Sequence, residues 1–195
     1  RYAPTPGDFA PSRQAVEELL DWADEEGWTG MRGVLLDGGH GGKDHWSNQL
    51  ACKDLESHLH ERLIRDVQYF KGRITSYEVW KGALQWREWI DRCGDALYHN
   101  AYRWASQADP TATMSSSETD IISSVTLTKA EAYHNMIWAM TSTGVPVHAV
   151  GVQATFDGEV DASTVKHRLD VLREVQLPVY IMKFSITNAD PAKHA

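Results

Sequence analysis

Five short strand signals, set apart by helix-length intervals, constrain this chain more than any other feature. Their midpoints fall near residues 33, 77, 114, 149 and 182, which are 44, 37, 35 and 33 residues apart. Each interval can hold a crossover helix, and strands joined by such crossovers lie parallel. A βα unit repeated about five times predicts an α/β chain on a parallel sheet, either doubly wound or curled as a barrel. A closed (β/α)8 barrel needs eight strands, so five fall short of it.

The segments between the strands agree with this reading. Residues 11–27 predict a helix, with Ser12 as cap, Val16, Leu19, Leu20 and Ala23 on one face, and Gly27 past its end. Residues 31–36 are a short apolar run that suits a buried strand. DGGHGG, residues 37–42, must be a loop. Leu55, Leu59, Leu63, Val67 and Phe70 recur at helical spacing up to Gly72. Ile74 to Leu84, ITSYEVWKGAL, then reads as a strand broken by Gly82. A strand that ends in a glycine turn and feeds a helix is where α/β proteins place their chemistry.

Further on, a third helix is expected over about residues 91–108, and residues 112–116 make a poor strand by themselves. Thr128-Lys129-Ala130-Glu131 reads as a capping box opening a fourth helix that stops at Gly144. Residues 147–152 are a strand, 161–176 a helix with Val165, Leu169 and Leu172 inward, and 179–186 the last strand. Asp190-Pro191 starts another helix, while residues 2–7 read as a loop. Both ends suggest a slice of a larger barrel; if the chain stands alone, two strand edges lie open and invite self-association or a protein partner.

Composition narrows the function classes. With 19 basic and 27 acidic residues, the net charge of −8 disfavours nucleic acid and acidic membrane surfaces. No apolar run approaches membrane-spanning length, so no membrane insertion is expected, and Arg1-Tyr2-Ala3-Pro4 is not a signal peptide. Cys52 and Cys93 could form one bridge or remain buried thiols, and two unlinked thiols are the plainer reading. The eight tryptophans suit sugar stacking, although core packing accounts for them equally well. His40, His45, His58 and His60 lack a metal-ligand spacing, so neither a metal nor a cofactor is expected.

A series of motifs runs along the chain: Pro6-Gly7-Asp8-Phe9, Leu20-Asp21-Trp22-Ala23 with Gly27, Met31-Arg32-Gly33, and Tyr77-Glu78-Val79. Ala101-Tyr102-Arg103-Trp104-Ala105 with Ala108-Asp109-Pro110, Gly144-Val145-Pro146 with Gly151-Val152-Gln153, and residues 177–181, LPVYI, complete it. In type and order these motifs resemble those of glycoside hydrolase family 10, the endo-β-1,4-xylanases. The resemblance implies a partial (β/α)8 TIM barrel, holding the family's strands three to seven in a single incomplete domain over residues 1–195.

It also implies where chemistry should sit. A retaining glycosidase needs two carboxyl groups about 5–5.5 Å apart. By the resemblance, the acid/base glutamate falls at Gly82, preceded by Lys81 in place of asparagine, and the nucleophile falls at Lys183. Val34, Gly38 and Thr155 replace a histidine, a tryptophan and a second histidine. Ser117 replaces the asparagine before Glu118, and only Glu118 and Gln153 keep the family type. Glycine cannot deliver a proton, and a lysine cation opposes an oxocarbenium-like transition state. A Schiff-base role for Lys183 would need a partner acid or base that the sequence does not supply.

The expectation is therefore a non-catalytic, extracellular xylanase-like module. Its residual cleft would hold Lys81, Glu118, Gln153, Trp80 and Trp86, with a protein partner or a polysaccharide as ligand. The alternatives are a carbohydrate-binding module that keeps the old cleft, and an active endo-β-1,4-xylanase whose missing carboxylates are supplied elsewhere.

Overall fold

The computed structural model describes residues 6–37, 46–124, 126–158 and 160–187. Five strands form one sheet: β1 (Arg32–Asp37), β2 (Ser76–Lys81), β3 (Thr113–Glu118), β4 (Ala149–Asp157) and β5 (Val179–Thr187). The helices are α1 (Pro6–Glu25), α2 (Cys52–Tyr69), α3 (Glu88–Cys93), α4 (Asp95–Ala108), α5 (Thr128–Ser142) and α6 (Ala162–Arg173). A short 3-10 turn, Trp46–Gln49, precedes α2.

All four strand pairings are parallel, and the spatial order is β1-β2-β3-β4-β5. A doubly wound sheet reverses its strand order at a switch point. This sheet has no reversal, so it is an arc of a (β/α)8 barrel. One contact measures the curl. Strands four places apart in a flat sheet would be about 19 Å apart. Yet the Arg32 guanidinium of β1 lies 4.8 Å from the Tyr180 ring centroid of β5 and also meets the Met182 sulfur. The first and last strands face one another across the arc.

The core lies between the sheet and the helices. Leu55, Leu59, Leu63 and Val67 of α2 are buried as their spacing predicts, together with Tyr77 and Val79 of β2. Residues 113–118, TMSSSE, are a weak strand by composition, but they form β3 in the middle of the sheet. Pairing on both sides satisfies that backbone, which is how tertiary context overrides a poor β propensity.

Four expectations need correction. The helix of residues 91–108 is two helices, broken at Gly94, whose φ of 88° a side chain would resist. The capping box at Thr128 is not formed: Leu127 is the N-cap of α5 and no side chain bonds the helix end. A cap is instead made at α6, where the Asp161 carboxylate accepts from the Ser163 and Thr164 amides at 3.1 and 3.2 Å. Residues 6 and 7 belong to α1 rather than to a loop, and the helix begins at Pro6 rather than near residue 11.

The fourth correction concerns the thiols, which are joined in a Cys52–Cys93 disulfide. It ties the start of α2 to the end of α3, places that only the folded chain brings together. Residues 2–5, Gly38, His40, His45 and the helix start at Asp190-Pro191 lie outside the described residues.

Candidate active-site face at the strand ends

The C-terminal ends of β1 to β5 bring together most of the candidate residues. β2 ends at Lys81, and Gly82 follows with φ of 78°. Its amide donates to the Ser117 carbonyl at 2.8 Å, and its carbonyl accepts from the Gln85 and Trp86 amides at 3.2 and 2.9 Å. This tight turn swings the Trp86 indole over Gly82. A Cβ at position 82 would lie 2.1 Å from Trp86 Cε3 and 2.3 Å from Cζ3. The space a side chain would use is already filled, and the left-handed backbone disfavours one in any case.

Beside this turn, Lys81 Nζ pairs with Asp37 Oδ2 at 2.9 Å, joining the ends of β1 and β2. Glu118, at the end of β3, is 1% exposed. Its Oε1 accepts from the Leu84 amide at 2.9 Å, so the carboxyl holds the segment after Gly82. Burial pushes its pKa up to about 8, against the opposing pull of the Leu84 and Ala83 amides and the charges of Lys129 and Arg87. Desolvation wins because the backbone dipoles replace only part of the lost water.

Glu78 is a second buried carboxyl. Burial raises its pKa, opposed by Ser117 and the charges of Arg32 and Lys81, and its Oε2 has no hydrogen-bond partner. Gln153 Nε2 donates to Ser117 Oγ at 3.3 Å, so Glu78, Ser117 and Gln153 form one polar group. Lys183 is opposite Gln153 in the β4–β5 register and stands exposed, with no ion pair among the described residues.

Trp80 is not part of this face. It is 1% exposed and packs edge-on against Trp89 of α3 and Tyr98 of α4, at 5.8 and 5.3 Å. Strict alternation would put Trp80 on the face of Glu78, but a register shift between the two sends it to the helix side. Trp86 is beside Gly82 as expected, though as a cover over the turn and not an open platform.

Sequence reasoning also missed a buried hydroxyl cluster behind β3. Tyr98 Oη lies 3.3 Å from Ser116 Oγ and 3.4 Å from Tyr102 Oη, and Tyr133 donates to the Gly151 carbonyl at 3.0 Å. Burial pushes all three phenols well up, so they stay neutral hydrogen-bonding groups. The run of serines at 115–117 was the available signal, because hydroxyls on a buried strand need polar partners. Among the described residues, no group of three His, Cys, Asp or Glu side chains could hold a metal ion. No described helix is long and apolar enough to cross a membrane.

Comparison with known proteins agrees with this architecture. A beta-1,4-xylanase of Dictyoglomus thermophilum is 25% identical over 154 residues, covering 75% of this chain and 41% of that protein. The anti-sigma-I factor RsgI6 of Acetivibrio thermocellus is 25% identical over 150 residues, covering 77% of this chain and 19% of its own length. The chain thus spans well under two thirds of these relatives. Among solved structures, an intracellular xylanase from Thermoanaerobacterium saccharolyticum superposes with a TM-score of 0.81 at 16% identity, over 94% of this chain and 61% of that one. A family 10 endoxylanase from a sugarcane soil metagenome gives 0.78 at 19%, over 89% and 52%. The family model described as glycosyl hydrolase family 10 matches residues 14–195. That match and the barrel-arc order of the strands agree, and the chain belongs to glycosyl hydrolase family 10.

Proposed function

We propose that this chain is a xylanase-like module without glycosidase activity, acting as a structural or interaction element of an extracellular assembly. The observation that carries the reading is the Gly82–Trp86 contact. By resemblance Gly82 holds the acid/base position, and the indole fills the volume its side chain would need. The nucleophile position, Lys183, carries a cation where a carboxylate should attack. The other carboxyls at the ends of β1 to β3 are engaged or unsuited to attack: Asp37 is paired with Lys81, Glu118 is held by the turn amides, and burial pushes both Glu118 and Glu78 toward the neutral form, which is no nucleophile. Loss of either classical carboxylate costs several powers of ten in rate, and the two losses do not rescue one another.

The Cys52–Cys93 bridge favours an oxidising compartment, in keeping with an extracellular site. Residues 1–195 form one incomplete barrel domain in this reading. Among the described residues β1 and β5 each pair on one side only. Carbohydrate binding without hydrolysis is the second reading, favoured by the Glu78–Ser117–Gln153 group at the strand ends.

Two assays separate these readings. The purified chain should release no chromophore from an aryl xylobioside beyond a buffer blank. Turnover that falls on Glu118→Gln or Glu78→Gln would establish an active xylanase and end the proposal. Saturable binding of xylohexaose, lost in Gln153→Ala, would instead select the carbohydrate-binding reading.

A further inference from the structure

The Cys52–Cys93 bridge joins two helix ends of opposite polarity. Cys52 is the first residue of the 18-residue helix α2, and the N-cap before it, Ala51, makes no side-chain bond to the helix amides. Cys93 is the last residue of α3. A helix N-terminus favours negative charge and a C-terminus opposes it, so a thiolate is better stabilised at Cys52 than at Cys93. Arg92, next to Cys93 in the chain, adds positive charge. Its guanidinium donates to the Asn48 and Ser47 carbonyls at 2.7 and 3.1 Å and has no carboxylate partner among the described residues. Asp54, in the first turn of α2, works against it. Both bridged residues are partly exposed. Partial exposure in an electropositive setting is where reactive rather than inert cysteine sulfurs are found.

The bridge also fastens a segment that matters to the strand ends. α3 has six residues, too few to be stable as a helix by itself. It follows the Trp86 cover after a single intervening residue, Arg87. Besides the bridge, α3 is held by Arg92 and by Trp89, whose Nε1 donates to Ser47 Oγ at 3.0 Å and whose ring meets Trp80 at 5.8 Å.

We propose that the Cys52–Cys93 bridge is a reducible latch on the Trp86 cover, opened by a small thiol of the glutathione class. A thiolate attacks Cys93 Sγ; the bond to Cys52 breaks, a mixed disulfide forms at Cys93, and Cys52 leaves as the thiolate stabilised at the start of α2. A second thiolate attacks the small-molecule sulfur of that mixed disulfide, so Cys93 leaves and the reductant departs as its own disulfide. Two thiols are oxidised, one cystine is reduced, and the two protons the reductant gave up pass to the cysteines. α3 then loses its covalent tie to α2, and Trp86 is free to leave Gly82 and uncover the ends of β2 and β3. The inference requires neither hydrolysis nor sugar binding at that face, so it stands or falls apart from the module reading.

Equilibration in glutathione buffers of graded ratio, followed by alkylation and mass measurement, reads the latch. Complete reduction with the fold retained by circular dichroism is expected. Arg92→Gln should shift the equilibrium toward the disulfide about two- to fivefold. So should Ala51→Asp, which caps α2 but sets a carboxylate beside Cys52. A bridge that neither variant moves, or that is reduced only in urea, overturns the proposal. Hydrogen exchange reads the cover. In short labelling pulses of the reduced protein, the Gln85, Trp86, Asp91 and Gly94 amides should exchange at least about tenfold faster, while the Val150 amide in the sheet stays protected. Cys52→Ser with Cys93→Ser should give the same pattern without reductant. Loss of protection at Val150 along with the others overturns the latch in favour of a bridge that stabilises the whole fold. Unchanged exchange overturns it in favour of a cover held by packing.

Discussion

The strand ends of β2 and β3 are sealed, whereas those of β4 and β5 are open. On the sealed side Trp86 covers Gly82, Glu118 is buried against the turn amides, and Lys81 is paired with Asp37. On the open side Lys183 stands exposed, and Phe184 and Ile186 of the same strand are about half exposed. The two positions that the family resemblance singles out thus differ physically. Position 82 is closed by volume and backbone geometry, so a glutamate placed there meets Trp86. Position 183 carries an exposed lysine on β5.

The comparison can be broken most sharply at Gly82. Gly82→Glu should cost about 3–4 kcal/mol in urea denaturation, from the left-handed φ and the clash with Trp86 together. Trp86→Ala added to it should recover the clash but not the backbone part. A Gly82→Glu chain as stable as the parent would mean that the turn yields easily.

Opening the Cys52–Cys93 bridge tests the same side. Replacing both cysteines by serine should cost about 2–4 kcal/mol, since the bridge closes a loop across 41 residues. Loss below about 1 kcal/mol would show that α2 and α3 are held by packing alone.

A smaller effect is expected from pH. The folded-state pKa of Glu118 is about 8, above the ordinary glutamate value of 4.5. The folded chain therefore binds more protons than the unfolded chain between those values, and stability falls as pH rises through that window. The contribution is fully present below pH 4.5 and lost above about 8. Glu118→Gln mimics the protonated acid, so it should flatten this decline in melting temperature and cost little at pH 5. An unchanged slope in the variant would place the titration elsewhere. Least of all should come from the open side. Lys183→Glu should shift stability by less than about 0.5 kcal/mol, as for an exposed residue without partners. A larger loss would show that β5 is not open.

The sheet was legible from spacing because short strand signals recur at intervals long enough for a crossover helix, and crossovers need a minimum length. The strand Thr113–Glu118 was the hardest to read, since three serines carry little apolar signal. It is a strand because its two neighbours supply hydrogen bonds and Tyr98, Tyr102 and Tyr133 lie around Ser116. Gly82 and Lys183 are assigned to family positions by the resemblance of the framework motifs around them. Their surroundings could not be read there. Whether Gly82 is vacant or filled depends on a turn that returns the chain four residues later.

By itself the sequence determined the βα repeat and the parallel sheet, because these depend on residue type and on the spacing of the strand signals. Only the tertiary structure decided that Trp80 belongs to the core, that Cys52 meets Cys93, and that Trp86 fills the place at Gly82. Each of these depends on where separate elements end in space: a one-residue register shift in β2, the meeting of two helix ends, and the direction of one tight turn.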